Sequence, residues 1–437
     1  MTLHVDKQLC IGLSLSPTWL KGAGWRREDS RAEQIFSSSF YTDLARQAER
    51  AKLDFVFKPD VMALPVETLE RSPGFGGLDP SLLLAALAQS TRHIGLVTTV
   101  SSTFTPPYLA ARQAQSLNWI SQGRAGLNIV TAIDGAANFG LRDMPPSEER
   151  YAKATEFTQV VRQLWNSFPG EAMIVDRNAG QFADPSRILP IDHQGNFFRV
   201  QGPLNLPTYP AGEIPLIQAG ASAAGLDFAA AAADGIFAAA PDMAASFQLR
   251  QSLQSRARKI GRSPEAIRVL PGMHFFLAHT RNEALDLHRE THAHLSVEQR
   301  YASIQALLGI DMRHFAPDQP ITLSLLPDPP VAVRSRTHTD LLRTLIEREQ
   351  PTVQELIARP EVVNSGHWVV IGTVEDALKE ILAWHEAGAM DGFIALPGGS
   401  STSLQLFFEE LIPRLAERGL FRREYKGNTL REHLGIV

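Results

Sequence analysis

A (β/α)8 barrel of the TIM type, built from one chain with insertions, is the α/β fold class that the sequence predicts. Three observations point to it. Eight short apolar, β-leaning runs recur along the chain. A helical period or a helix-bearing insertion separates each run from the next. The runs are near-continuously apolar, as strands of a parallel sheet are when both faces are covered. A doubly wound open sheet is the rival, but eight strand–helix units close a barrel with no remainder.

The elements follow in order. CIGLSLS (10–16) is the first strand, and a helix over 39–51 places Phe40, Leu44, Ala48 and Ala51 on one face. DFVFKPD (54–60) is the second strand, followed by a Pro/Gly-rich loop to Leu78. DPSLLLAALAQST (79–91) opens as an Asp-Pro helix start. HIGLVTTVS (93–101) is the third strand, and the helix 106–123 opens on prolines and closes on Gly123. AGLNIVTA (125–132) is the fourth strand. The helix 146–168 carries a stripe of Tyr151, Ala154, Phe157, Val161, Leu164 and Trp165. The stretch from about 168 to 213 reads as hairpin and loop. IPLIQAG (214–220), a helix over 222–233, GIFAAA (235–240), a helix near 242–260 and IRVLPGMHFFLAHT (267–280) supply strands five to seven. Residues 281–365 form a long interruption, helical in part, and the candidate for a lid. The helix 373–388 has Thr373 as N-cap with Glu375 and Asp376 in its first turn, and DGFIALP (391–397) is the eighth strand. The two interruptions read as insertions in a single domain over 1–437, each short for a core of its own.

Composition narrows the function. The chain has 437 residues, 44% hydrophobic and 20% charged, with a net charge of −5 and one cysteine. That is too apolar for a disordered chain, and no run is long enough to span a bilayer. The charge balance gives no support for nucleic-acid binding. Cys10 has no partner for an internal disulfide, and the N-terminus lacks a signal-peptide pattern, so a cytoplasmic protein is expected.

Barrel chemistry sits at the C-terminal ends of the strands. That rule selects Lys58 and Asp60 after strand two, Thr98 to Thr103 after strand three, Asn128, Thr131 and Asp134 after strand four, and His274 on strand seven. Two loops could bind phosphate at a helix N-terminus, GASAAG (220–225) and PGGSSTS (397–403), and their pattern alone does not rank them. GASAAG misses the nucleophile elbow by one residue. His288 and His292 lie four apart, with His294 following, but Glu290 is one place late for the zinc motif, so no metal site is expected. Cys10 reads as a small core residue.

The stretch 93–132 resembles the bacterial luciferase-like flavin monooxygenase superfamily, and more closely its nitrilotriacetate and dibenzothiophene-sulfone monooxygenase branch. NFG (138–140), ERYAKATEF (149–157), FFRVQGPLNLP (197–207), IQAGASAAGLDFAAAAADGIF (217–237), 372–397 and 407–435 continue the likeness, which spares only about 285–360. The resemblance implies a TIM-like barrel that takes reduced FMN as co-substrate from a separate NAD(P)H-dependent flavin reductase. O2 would add at flavin C4a, and the peroxide would oxygenate a small organic molecule: an organosulfur compound, an amine or a relative. It implies a homodimer or homotetramer. Asp60 and Thr103 match residues beside the flavin ring; Tyr151, Ala221 and Ser222 match those at the FMN phosphate, which favours GASAAG over PGGSSTS. Ser147 stands where the family often has a histidine, and Ala132 replaces a hydroxyl residue. Catalytic residues stay unassigned. The alternatives are an F420-dependent oxidoreductase of the same superfamily and a flavin-binding barrel without catalysis. Lys58 and Arg142 are the candidate cations for a polar substrate.

Overall fold

The computed structural model describes residues 8–436 apart from 17, 21, 65, 67–68, 71, 74–75, 221, 293–295, 329–335, 360–361 and 363–365. The strands are β1 (Cys10–Ser14), β2 (Phe55–Lys58), β3 (Gly95–Ser101), β4 (Ala125–Val130), the outlying β5 (Met173–Asp176), β6 (Gln181–Ala183), β7 (His193–Gln194) and β8 (Arg199–Val200), then β9 (Leu216–Ala219), β10 (Gly235–Ala238), β11 (Arg268–Leu277), β12 (Trp368–Gly372) and β13 (Gly392–Pro397). Eight of them form a closed parallel ring in the order β10-β9-β4-β3-β2-β1-β13-β11, sealed by β10 against β11. The expected barrel is therefore present.

The helices around it are α1 (Ser38–Arg50), α2 (Pro80–Ala88), α3 (Pro107–Ile120), α4 (Ser147–Asn166), α5 (Ala223–Ala232) and α6 (Met243–Lys259). Their starts follow local chemistry. Asp79 accepts from Leu82 N with Pro80 in the first turn of α2, and Asp242 accepts from Ala245 N at α6. Thr373 caps the helix Val374–Glu386 reciprocally with Asp376. The stripe on α4 is buried at Ala154, Phe157, Val161, Leu164 and Trp165 and half-buried at Tyr151.

Alternation along the strands sends two residue sets to opposite faces. Leu96, Val100, Leu127 and Ile129 pack outward in the large core under the helices. Cys10, Phe55, Phe57, Val97, Ile217, Leu270, Ile394 and Leu396 fill the barrel interior. The short C-terminal helix Leu430–Leu434 plugs the floor with Leu430 and Leu434. Gly95 and Gly126 make room for that plug: a Cβ on either would come within 2.5 or 2.7 Å of a Leu430 methyl. Cys10 is buried there, and burial pushes its thiol pKa well up, which removes it from thiolate chemistry.

Two expectations change. The seventh strand ends at Leu277, and a ninth strand, β12, pairs with its outer half from Met273 to Leu277. β12 is five residues long and follows directly on the insertion, so its apolar run has no period of its own to mark it. The segment 168–213 does form hairpins, β5-β6 and β7-β8. The longer interruption was expected to bury no core; instead α8 (Val297–Leu308), α9 (Arg336–Glu349) and α10 (Val353–Ala358) converge on a cluster that includes Ile304, Leu308, Leu342, Ile346 and Val353. Short amphipathic helices suffice when three of them share one apolar centre. Before them, α7 (Arg281–His292) lies on the rim: Ala23 N donates to Thr291 O, and Gly399 approaches Leu287.

Candidate active site at the C-terminal rim of the barrel

Thr99 and Ser101 share the inward parity of Val97, and Asn128 lies between the outward Leu127 and Ile129. These residues make a polar layer above the apolar interior. Asn128 Nδ2 donates to Thr99 Oγ1 at 3.0 Å, and Thr99 Oγ1 donates to Lys58 O at 2.8 Å, linking β4 to β3 to β2. Four buried side-chain oxygens here have no partner: Ser101 Oγ, Thr103 Oγ1, Asn128 Oδ1 and Gln218 Oε1. Each belongs to a residue at most 2% exposed. A buried polar atom left unpaired costs about 1–3 kcal/mol, so four at the ends of three neighbouring strands mark a surface made for a polar ligand.

Asp60, two residues beyond β2, holds Val61 N at 3.0 Å. Burial pushes its carboxyl pKa up, against that N–H and the Lys58 charge. Lys58 is itself buried; its Nζ donates to Pro59 O at 3.2 Å, and burial lowers its pKa against Asp60 and Asp79.

The second part of the site is the start of α5. Ser222 caps the helix by accepting from Gly225 N at 3.2 Å. Tyr151 reaches over it from α4. A Cβ placed on Gly225 would lie 2.8 Å from the Tyr151 hydroxyl and 3.2 Å from Ser222 Oγ, and one on Gly220 would lie 2.9 Å from the same hydroxyl. Two glycines thus keep open a cradle bounded by a phenol, a serine and free helix N–H groups, which suits an anion. Ala221 lies outside the described residues. The rival loop differs: Ser400 caps the helix Ser401–Leu406, but Ser401 N and Oγ already donate to Asp29 Oδ2 at 2.9 Å. Burial raises the Asp29 carboxyl, yet those donors and Arg27 hold its pKa below the usual range, so a carboxylate occupies that helix end.

The structure thus brings Thr103, Tyr151 and Ser222 to the rim with Asp60, while Ser147 is an exposed first residue of α4. Arg142 does not face the barrel; its side chain is 96% exposed and reaches Asp143. Arg150 and Lys153 were missed. Arg150 Nη1 donates to Ala132 O, its Nε stays buried without a partner, and Lys153 Nζ donates to Thr103 O at 2.7 Å. They sit three apart on α4, flanking Tyr151, and that spacing was the available signal; in sequence they look like a solvated face. His288 is driven down to about 4 by burial first and His292 and Arg300 next, and His292 Nδ1 contacts His288 O at 2.8 Å. His294 lies outside the described residues, within which no group of three or more His, Cys, Asp or Glu side chains is arranged to hold a metal.

Comparison with known proteins adds an independent finding. A family profile described as luciferase-like monooxygenase matches residues 25–391. The chain is 35% identical to nitrilotriacetate monooxygenase component A of Aminobacter aminovorans, over 100% of this chain and 98% of that one. It is 32% identical to dibenzothiophene-sulfone monooxygenase of Rhodococcus erythropolis, over 94% and 92%. Among solved structures, a riboflavin lyase with modified FMN and riboflavin superposes with a TM-score of 0.84 at 29% identity, covering 98% of this chain and 96% of that one.

Proposed function

The chain belongs to the luciferase-like monooxygenase family, and from that premise we propose that it is the oxygenating half of a two-component system. It takes reduced FMN from a separate NAD(P)H-dependent flavin reductase. One atom of O2 goes into a small organosulfur compound, amine or related molecule, and the other leaves as water with the two electrons of the flavin. The observation that carries this reading is the set of four unpartnered oxygens beside an open anion cradle. A flavin ring has polar edges for the first and a phosphate for the second.

The residues fit that ligand. Ser101, Thr103, Asn128 and Asp60 would meet the ring, and Gln218, beside the cradle, its polar substituents. Tyr151, Ser222 and the backbone at Ala221 would hold the phosphate, with Arg150 adding positive charge at the start of the same helix as Tyr151. Ser147 adds at most a short hydroxyl at that helix start. Bound there, reduced FMN supplies the electrons and the activation of oxygen. The chain supplies position, a dry pocket and hydrogen bonds. A cradle without a buried lysine suits a cofactor that must enter and leave.

Water exclusion falls to the insertion 281–365, which we assign as a lid because α7 already rests on the loops after β1 and β13. Replacing residues 296–358 by a short linker, which leaves α7 in place, is expected to raise hydrogen peroxide relative to product while the barrel folds; unchanged coupling refutes a lid role for α8 to α10. On this reading the enzyme works in the cytoplasm. Among the described residues no helix is long and apolar enough to cross a membrane. We also propose a homodimer or homotetramer, supported by the exposed Leu82 on α2 and Leu109, Trp119 and Ile120 on α3.

The test is a titration with FMN and with F420, followed by reductase-coupled oxygen uptake over a panel of sulfur compounds and amines. FMN binding and substrate-dependent product formation are expected. F420 binding in place of FMN, or peroxide alone with every substrate, overturns the reading.

A further inference from the structure

Three successive rim loops are tied into one wall beside Thr103. Phe104 stacks face to face on Phe139, with centroids 4.2 Å apart and planes 6° from parallel. Asn138 Nδ2 donates to Met62 O at 2.7 Å. Gly135, at φ +94°, lets its loop lie on Met62, where a Cβ would come within 2.8 Å of the Met62 carbonyl. The loops after β2, β3 and β4 are therefore held together by backbone and ring contacts. Their outer surface is apolar and in water: Phe139 is 46% exposed, Ile133 52%, Leu141 40% and Val61 43%. Four exposed apolar side chains carried on loops tied to one another are the kind of surface that marks a binding site.

The buried and half-buried cations around the wall are bound to backbone carbonyls; Arg150, assigned to the anion cradle, keeps its Nε donor unpaired, and Arg142 lies in solvent. Lys58 Nζ is buried on Pro59 O with Asp60 and Asp79 acting on it. Arg150 and Lys153 hold the carbonyls of Ala132 and Thr103. Arg142 turns out to Asp143. Among the described residues of these loops and the start of α4, the cations thus serve backbone, the anion cradle or solvent. Among the described residues of the wall, a polycarboxylate would meet only the solvated Arg142 and cations already assigned to backbone or to the anion cradle, beside the carboxylate of Asp60.

We propose that this wall receives an uncharged, apolar substrate, aryl or alkyl, rather than a polycarboxylate such as nitrilotriacetate. The proposal rests on the monooxygenase reading for its reaction, but the wall's preference is a property of binding and is measured apart from turnover. Phe139 is a specificity residue here: its exposed ring offers an aryl or alkyl group a face to lie on.

The experiment uses the full chain with FMN present. Equilibrium binding of uncharged aryl and alkyl sulfones and sulfides is compared with that of nitrilotriacetate and related polycarboxylates. The same compounds are then assayed for product with reduced FMN supplied by a generic reductase. At least one uncharged compound is expected to bind tenfold or more tightly than any polycarboxylate. Phe139→Ala is expected to weaken that binding, and raise its KM, by roughly five- to tenfold with kcat within about twofold. Polycarboxylate binding equal to or tighter than that of every uncharged compound overturns the proposal, as does Phe139→Ala leaving apolar binding unchanged. If Phe139→Ala instead changes the mass measured by light scattering and spares ligand binding, the patch is an interface between copies and the proposal falls. Phe139-dependent binding without any product upholds the wall and overturns the monooxygenase reading, so the two fail separately.

Discussion

Gly225→Ala is expected to weaken FMN binding tenfold or more while the protein remains at least as stable to heat. The added methyl group would sit 2.8 Å from the Tyr151 hydroxyl and 3.2 Å from Ser222 Oγ. The phenol is the far end of a flexible side chain, so the fold absorbs the intrusion by moving it. What is lost is the cradle. A hydrogen bond to a charged group is worth about 1.5–3 kcal/mol, and roughly 1.4 kcal/mol is a factor of ten in affinity. Stability should not fall, because Gly225 lies in α5, where alanine is favoured over glycine by about 0.5–1 kcal/mol. Tyr151→Phe should lose less, since it removes one donor and leaves the space. Fluorescence titration of FMN and a thermal melt measure both halves; undiminished FMN affinity in Gly225→Ala removes the phosphate assignment from this loop.

The second large effect concerns the opposite end of the barrel. Asp54 is wholly buried at the floor, where Ile11 N donates to it at 2.7 Å and Arg422 Nη2 completes an ion pair. Burial pushes the Asp54 carboxyl pKa up, and Arg422 with the Ile11 N–H pulls against it. Arg422 stacks over Phe421 and Tyr425 and keeps 11% of its side chain exposed. Asp54→Ala leaves that guanidinium buried without its counter-charge, which costs about 3–5 kcal/mol. Removing both partners, Asp54→Ala with Arg422→Met, should recover a large part of the loss, because no uncompensated charge then remains. Urea unfolding of the two single variants and the double variant measures the coupling. Additive losses would show that the pair contributes through packing alone. FMN binding should be unaffected in any variant that folds, since the floor lies below the apolar interior and the site above it.

Much of this was legible in the chain itself. The eight barrel strands could be found because a strand buried on both faces must be apolar throughout, and Val97 or Ile394 has no other environment. The rim rule then selected Asp60, Thr103 and Asn128. β12 was not legible, because five residues after a long insertion carry no period. The inner core of 281–365 was not legible either, since its contributors, Ile304, Leu342 and Val353, are far apart in sequence. Arg142 looked like a pocket cation and is a solvent-facing partner of Asp143. Arg150 and Lys153 looked like surface and instead fasten α4 to carbonyls two residues beyond the ends of β4 and β3.

By itself, then, the sequence determined the barrel and pointed to its C-terminal rim as the place for a site, because burial and strand alternation are one-dimensional patterns. Beyond the family likeness, only the tertiary structure separates the two candidate phosphate loops. Both offer a serine-capped helix start, and nothing local separates them. The difference is what arrives from elsewhere: Asp29 neutralises one helix end, and Tyr151 leaves the other open. Whether a helix N-terminus binds an anion depends on which long-range neighbour has already satisfied its N–H groups, and that neighbour is chosen by packing.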